Sequence, residues 1–230
     1  MSVDVGGIRA RLPTPTWVQA SLLVGAVLTV GWNLAPGTGI DERLVRDGAF
    51  FLVGPLTFAL VWGKGREQLG WTVNRRAVRN TLLLSAFVFP FYLVGSSLPS
   101  IRAYYPMWGG TADPASFVPH ATKQMVIVVA AETYYRGLLC VGVRDVGPKA
   151  ALISPVVYAL HHAGKPPIEL ALSGPTDALF GIVDYDAKSI LPSVVAHGFG
   201  MTLLDWLVLH DPVIPPDLVV RSLRWLPIPL

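Results

Sequence analysis

Charge is scarce in this sequence, and cysteine scarcer. Lys, Arg, Asp and Glu make up 14% of the 230 residues, against about 25% in an ordinary soluble domain. A surface so poor in charge points to lipid as the solvent for much of the chain. The single cysteine, Cys140, excludes an internal disulfide and any cysteine-based metal cluster. It lies inside an apolar run, where a small buried hydrophobe is the expected role rather than a nucleophile. No helical HExxH occurs, so a zinc site built from Glu and His has no motif behind it, and no cofactor is expected. There is no internal repeat and no low-complexity segment. The amino-terminal stretch MSVDVGGIRARLPTPTW lacks the short apolar core and small-residue cleavage site of a signal peptide, so the first apolar run is expected to stay as an anchor.

What the chain has instead is apolar length. Hydrophobic residues make up 52% and the mean hydropathy is +0.51. Runs at 17–34, 49–62, 81–98, 125–143, 150–163 and 189–209 are separated by short polar links such as Asp41, Glu42, Arg43 and Arg46. About 20 apolar residues cross a bilayer as one helix. The stretch 168–186 is apolar on average but interrupted by Glu169, Ser173, Gly174, Pro175 and Asp177, and it reads as a broken or re-entrant helix. The expected fold is therefore all-α, a polytopic transmembrane bundle of about six to eight membrane helices. The size suits one integral membrane domain over 1–230, with spans at 17–124 followed by a region at 125–210 that carries the chemistry.

The net charge is +3 and the sequence pI about 9.1, yet the basic residues cluster in short loops. Lys64, Arg66, Arg75, Arg76 and Arg79 face a single acid, Glu67, in one of them. The positive-inside rule puts that loop in the cytoplasm, and with it the amino terminus, where Arg9 and Arg11 agree. Membrane topology thus accounts for the charge and nucleic acid is not an expected partner. The connection 99–124 becomes extracytoplasmic, with Tyr104, Tyr105 and Trp108 suited to the interfacial belt.

Run 125–143 carries Glu132 and Arg136 near its middle. An ionised side chain at bilayer depth costs about 2.5–3.5 kcal/mol on insertion scales, so the two must pair and face protein. Their i, i+4 spacing sets them on one helix face. The next apolar run ends in His161 and His162, and the last contains His197. A carboxylate beside a neutral imidazole can hold and deprotonate water, and a second imidazole can stabilise the oxyanion formed when that water attacks a peptide carbonyl. Arg136 would keep Glu132 ionised and oriented. Three other readings use the same residues: a structural ion pair, a proton relay in a small transporter, and a scaffold that holds a partner without cutting it.

The order of these groups resembles a known family. Ala131-Glu132-Thr133-Tyr134-Tyr135-Arg136-Gly137 is similar to the Glu-Glu-x-x-x-Arg motif of the CAAX protease and bacteriocin-processing (CPBP) family of intramembrane proteases. Tyr158 with His162 four residues on resembles its second motif. Gly181 to Tyr185, Ser189-Ile190 and His197 resemble its third. The resemblance implies an intramembrane endopeptidase acting on a membrane-associated peptide or protein, with Glu132, Arg136, His162 and His197 catalytic and the motif aromatics Tyr135 and Tyr158 near substrate. In eukaryotic relatives the substrate is a prenylated CAAX protein. Two positions depart from the pattern. Ala131 stands where the first Glu of the pair is usual, and Met201 where an Asn four residues after the histidine is usual. Glu132, His162 and His197 are expected around one water-accessible cavity, and His120, His161 and His210 in packing or at the interface.

Overall fold

Three of the helices begin at a side chain that satisfies a first-turn backbone N–H. In this computed structural model, which describes residues 16–230, α1 spans Trp17–Leu34 behind a capping box. The Thr16 hydroxyl accepts from the Gln19 N–H, and the Gln19 side chain accepts from the Thr16 N–H. Helix α2 runs Ile40–Val61, eight α-helical residues passing into a π-helical stretch, Gly48–Val53, and back. Helix α3 is Arg75–Gly95, capped by the Asn74 side chain, which accepts from the Ala77 N–H at 2.9 Å. The short α4, Pro99–Tyr104, precedes α5, Pro114–Glu132, which continues without a break as a π-helix, Thr133–Val141. Then come α6, Ser154–His161; α7, Pro167–Ala187; α8, Leu191–Val208; and α9, Pro216–Ser222. No strand occurs among the described residues.

Five helical stretches are long and apolar enough to cross a membrane: α1, α2, α3, α8 and α5 with its continuation. The chain is an all-α membrane bundle. Its centre is the α5–π stretch, where 83% of the most apolar window is buried, against 22% to 39% in the other four. Those four turn Leu23, Val27, Leu60, Leu82, Phe87 and Phe199 outward, as lipid requires.

Two faces are defined by contacts between helix ends. At one, the Trp17 indole donates to the Gly142 carbonyl at 2.7 Å, Gln68 donates to the same carbonyl at 2.8 Å, Thr72 to that of Lys188 at 2.9 Å and Asn74 to that of Ala187 at 2.9 Å. The basic loop and the start of α1 therefore share a face. At the other, Asn33 meets His161 at 3.3 Å, Tyr105 donates to Glu169 at 2.8 Å and Arg102 donates to the Val208 and His210 carbonyls at 2.9 and 2.6 Å. Between these faces α6 and α7 make two further passages, although α6 is short and α7 carries acids. Arg9 and Arg11 lie outside the described residues.

Three sequence-based boundaries shift, and one expected element changes kind. The second span starts at Ile40 because Glu42 accepts from the Thr38 and Gly39 N–H groups at 2.9 and 2.7 Å and because Arg43 and Asp47 turn inward. Asp47, fully buried, accepts from the Trp32 indole at 2.6 Å and from Arg43 at 2.8 Å. Helix α3 starts at Arg75, inside the basic loop. The central helix starts at Pro114 rather than 125, set by Pro114 at its first position and by Asp113, which accepts from the Ser116 N–H at 3.3 Å. Stretch 168–186 is neither broken nor re-entrant. It is the 21-residue α7, with Pro175 inside it, and its polar residues fall on the buried side.

Candidate active site

Glu132 is the last α-helical residue before the π stretch, and it is fully buried. π segments widen the turn and recur at functional sites. Glu132 Oε1 lies 2.6 Å from His197 Nδ1, and Oε2 lies 3.1 Å from Arg136 Nε. Arg136 Nη2 in turn lies 2.9 Å from Asp177 Oδ1, and the Ser154 hydroxyl donates to Asp177 Oδ2 at 2.5 Å. The Arg136 contacts are close charge pairs rather than directed hydrogen bonds. Its guanidinium also rests over the Tyr158 ring at 4.8 Å and the Phe180 ring at 5.4 Å. Two carboxylates thus share one guanidinium, with His197 hydrogen-bonded at the excess negative charge. Such a group persists away from water only because every charge has a partner.

Helix α7 supplies the supports. Ser173, Asp177, Phe180, Gly181 and Asp184 are all buried, and their three- and four-residue spacing makes one inward stripe. Asp184 Oδ2 accepts from the Ser193 hydroxyl at 2.5 Å, and its Oδ1 accepts from the Ser193 N–H at 3.2 Å. This pins the first turn of α8 one turn ahead of His197. Sequence reasoning treated Asp177 as a helix interruption and passed over Asp184 as one letter of a motif. The periodicity from Glu169 to Asp184 was the signal that could have found them.

His162 stands apart. Just past the end of α6, its Nδ1 lies 2.9 Å from the Tyr158 carbonyl and its ring is 4.1 Å from that of Tyr158. Its Nε2 is 3.7 Å from Glu169 Oε1. Glu169 accepts from the Tyr105 hydroxyl at 2.8 Å and from Lys165 Nζ at 2.5 Å. The structure therefore brings Glu132, Arg136 and His197 into contact and sets His162 in a neighbouring group. Tyr158 packs against both Arg136 and His162. Tyr135 bonds His161 through its hydroxyl and lies in the aromatic cluster of Trp32, Phe51 and Tyr134.

The two departures from the motif pattern have clear surroundings. Ala131 packs against that apolar cluster, away from the charged group. Met201 packs with Leu98, Ile101, Ile168 and Leu204. Asp205 is taken by His120 at 2.8 Å and Gln124 at 2.9 Å. His161 and His210 serve packing and a helix end, and the buried Cys140 thiol points at the Gly181 carbonyl, 3.3 Å away.

Two cavities lie beside, rather than at, the Glu132–His197 contact. A cavity of about 320 Å³ lies between Thr38, Arg43, Arg46, Tyr104 and Trp108. An apolar one of about 290 Å³ lies between Leu22, Thr29, Tyr134 and Val157. Glu132 is sealed, whereas the His197 side chain is 17% exposed, so the pair opens outward at the imidazole. Among the described residues no three His, Cys, Asp or Glu side chains are grouped to hold a metal ion.

No curated protein and no solved structure matches the chain. A family model does: residues 115–202, which hold Glu132, Arg136, His162 and His197, match the Rce1-like family, described as type II CAAX prenyl endopeptidase Rce1-like, and over that stretch the chain is similar to CAAX proteases.

Proposed function

We propose that the protein is an intramembrane endopeptidase in which Glu132 and His197 work as a pair on water. The observation that carries this is the 2.6 Å contact between His197 Nδ1 and Glu132 Oε1, within a stretch similar to a protease family. A carboxylate on Nδ1 fixes the tautomer that leaves Nε2 with a lone pair. The exposed edge of the imidazole then takes a proton from water as the water oxygen attacks the peptide carbonyl carbon. The tetrahedral intermediate collapses with cleavage of the C–N bond, and the same imidazole returns the proton to the departing amine. Arg136 keeps Glu132 charged, and Asp177 holds Arg136 in place from its other side. A peptide extended past Tyr158 meets His162, which supplies the second polar contact. Catalysis needs no metal and no cofactor in this reading.

The substrate class is a membrane-associated peptide or protein, a prenylated carboxy-terminal segment included. The amino terminus and the basic loop are cytoplasmic by the charge rule. The test is cleavage of membrane-anchored fluorogenic peptides, prenylated and unprenylated, by purified protein in liposomes. We expect hydrolysis that Glu132→Gln and His197→Gln both lose while the protein stays folded. If the wild-type protein binds such peptides without cutting any, the second reading takes over. That reading is a non-cleaving membrane scaffold, and Ala131 and Met201 favour it.

A further inference from the structure

The cavity of about 320 Å³ belongs to neither polar group described above. It sits at the face opposite the basic loop, where the link between α1 and α2 meets the segment after α4. Its charged lining is Arg43 and Arg46, and no carboxylate lines it. Arg43 spends its Nε on Asp47 at 2.8 Å, and Arg46 spends Nη1 on the Ala35 carbonyl at 3.2 Å. The remaining guanidinium donors are unspent, and Arg46 Nε is buried with no hydrogen-bond partner. Both guanidinium groups are held in place against the Trp32 ring, at 4.7 and 4.3 Å. Two prepositioned forks facing one space match the geometry of an oxyanion, phosphate above all.

The surroundings say what carries the phosphate. Leu34 and Val45, 80% and 72% exposed, present apolar surface close by in sequence. Tyr104 and Trp108 complete the cavity wall, and such aromatics sit at headgroup level in membrane proteins. The neighbouring acids are already engaged, Glu42 by the Thr38 and Gly39 N–H groups and Asp47 by Trp32 and Arg43, which leaves no carboxylate in the lining to receive a choline or ethanolamine ammonium. We propose that this cavity is a binding site for the headgroup of an anionic phospholipid, its phosphate held by Arg43 and Arg46 and its acyl chains lying along the exposed apolar surface at the ends of α1 and α2.

The full-length protein in neutral detergent tests this, with lipid retention counted by native mass spectrometry and affinity measured by titration with phosphatidylglycerol. We expect one tightly held phosphatidylglycerol, bound at least about tenfold more weakly by Arg46→Gln. Lys123→Gln, which removes a cation of the same face paired with Asp41 at 2.6 Å, should leave the affinity unchanged. Arg46→Lys keeps the charge without the fork and should fall between. A thermal melt of each variant separates lost binding from lost folding. Equal affinity of the wild type and a folded Arg46→Gln overturns the site. Equal affinity for phosphatidylcholine overturns the charge argument. Displacement of the lipid by millimolar inorganic phosphate would make a soluble phosphate the occupant and overturn the lipid assignment.

Discussion

Glu132 and His197 stand sixty-five residues apart in sequence and 2.6 Å apart in space. One is sealed and the other reaches the surface; in the proposed mechanism the carboxylate orients the imidazole and the imidazole meets water. Glu132→Gln keeps the shape and removes the charge that selects the His197 tautomer. We expect cleavage in liposomes to fall by at least about 100-fold. Retained turnover in a folded Glu132→Gln protein would place the base elsewhere.

Asp177 lies on the far side of the Arg136 guanidinium and is predicted to matter for stability first. Asp177→Asn leaves Arg136 with Glu132 alone and weakens the link to Ser154. Removing one partner of a buried pair costs about 3–5 kcal/mol. A melt in detergent should show a large drop in Tm, and an unchanged Tm would mean that Arg136 is satisfied without Asp177.

Met201 offers a gain of function. It lies one turn beyond His197, where an amide could donate to an oxyanion, and one such donor is worth about 10²–10³ in rate. Met201→Asn should raise turnover, with a stability loss of about 1–3 kcal/mol for burying an amide in an apolar cluster. No rise in kcat would show that the developing charge is not reached from this turn of α8.

Gly142 joins three parts of the chain. Its carbonyl accepts from Trp17 and Gln68, and its N–H closes the π stretch onto the Gly137 carbonyl at 2.6 Å. A Cβ there would sit 2.6 Å from the Gly137 oxygen and 2.8 Å from that of Leu138. Gly142→Ala is expected to cost about 1–3 kcal/mol and to lower activity with it. Normal melting would show that the backbone yields there.

Metal removal should have no effect. Dialysis against a chelator is expected to leave turnover unchanged, and elemental analysis of the purified protein should find no stoichiometric zinc. A chelator-sensitive activity restored by zinc would overturn the water-on-imidazole mechanism.

Much of the bundle was legible because apolar length is a strong signal: Trp17–Leu34 and the α8 span fall where hydropathy puts them. What hydropathy hid were polar residues that serve the interior. Arg43 and Arg46 read as part of a polar link between spans, yet they belong to α2 and pack on Trp32. Asp177 read as a break in a helix that is continuous. The contact of Glu132 with Arg136 was visible as an i, i+4 pair, and His197 as a histidine in an apolar run. That His162 would pair with Glu169 rather than Glu132 was not visible, because spacing along the chain says nothing about which of two nearby carboxylates an imidazole will face.

The wide-turned segment from Thr133 to Val141 also has a bearing on how this protein tolerates change in length. Its i→i+5 bonding holds more residues per turn than an ordinary helix does. Deleting one residue from it changes how the wide turn closes and shifts everything downstream relative to Glu132. Cys140 would leave Gly181, and Gly142 would leave Trp17. Indel scanning should find this nine-residue window, buried throughout, far less forgiving than α1, whose apolar window is only 28% buried.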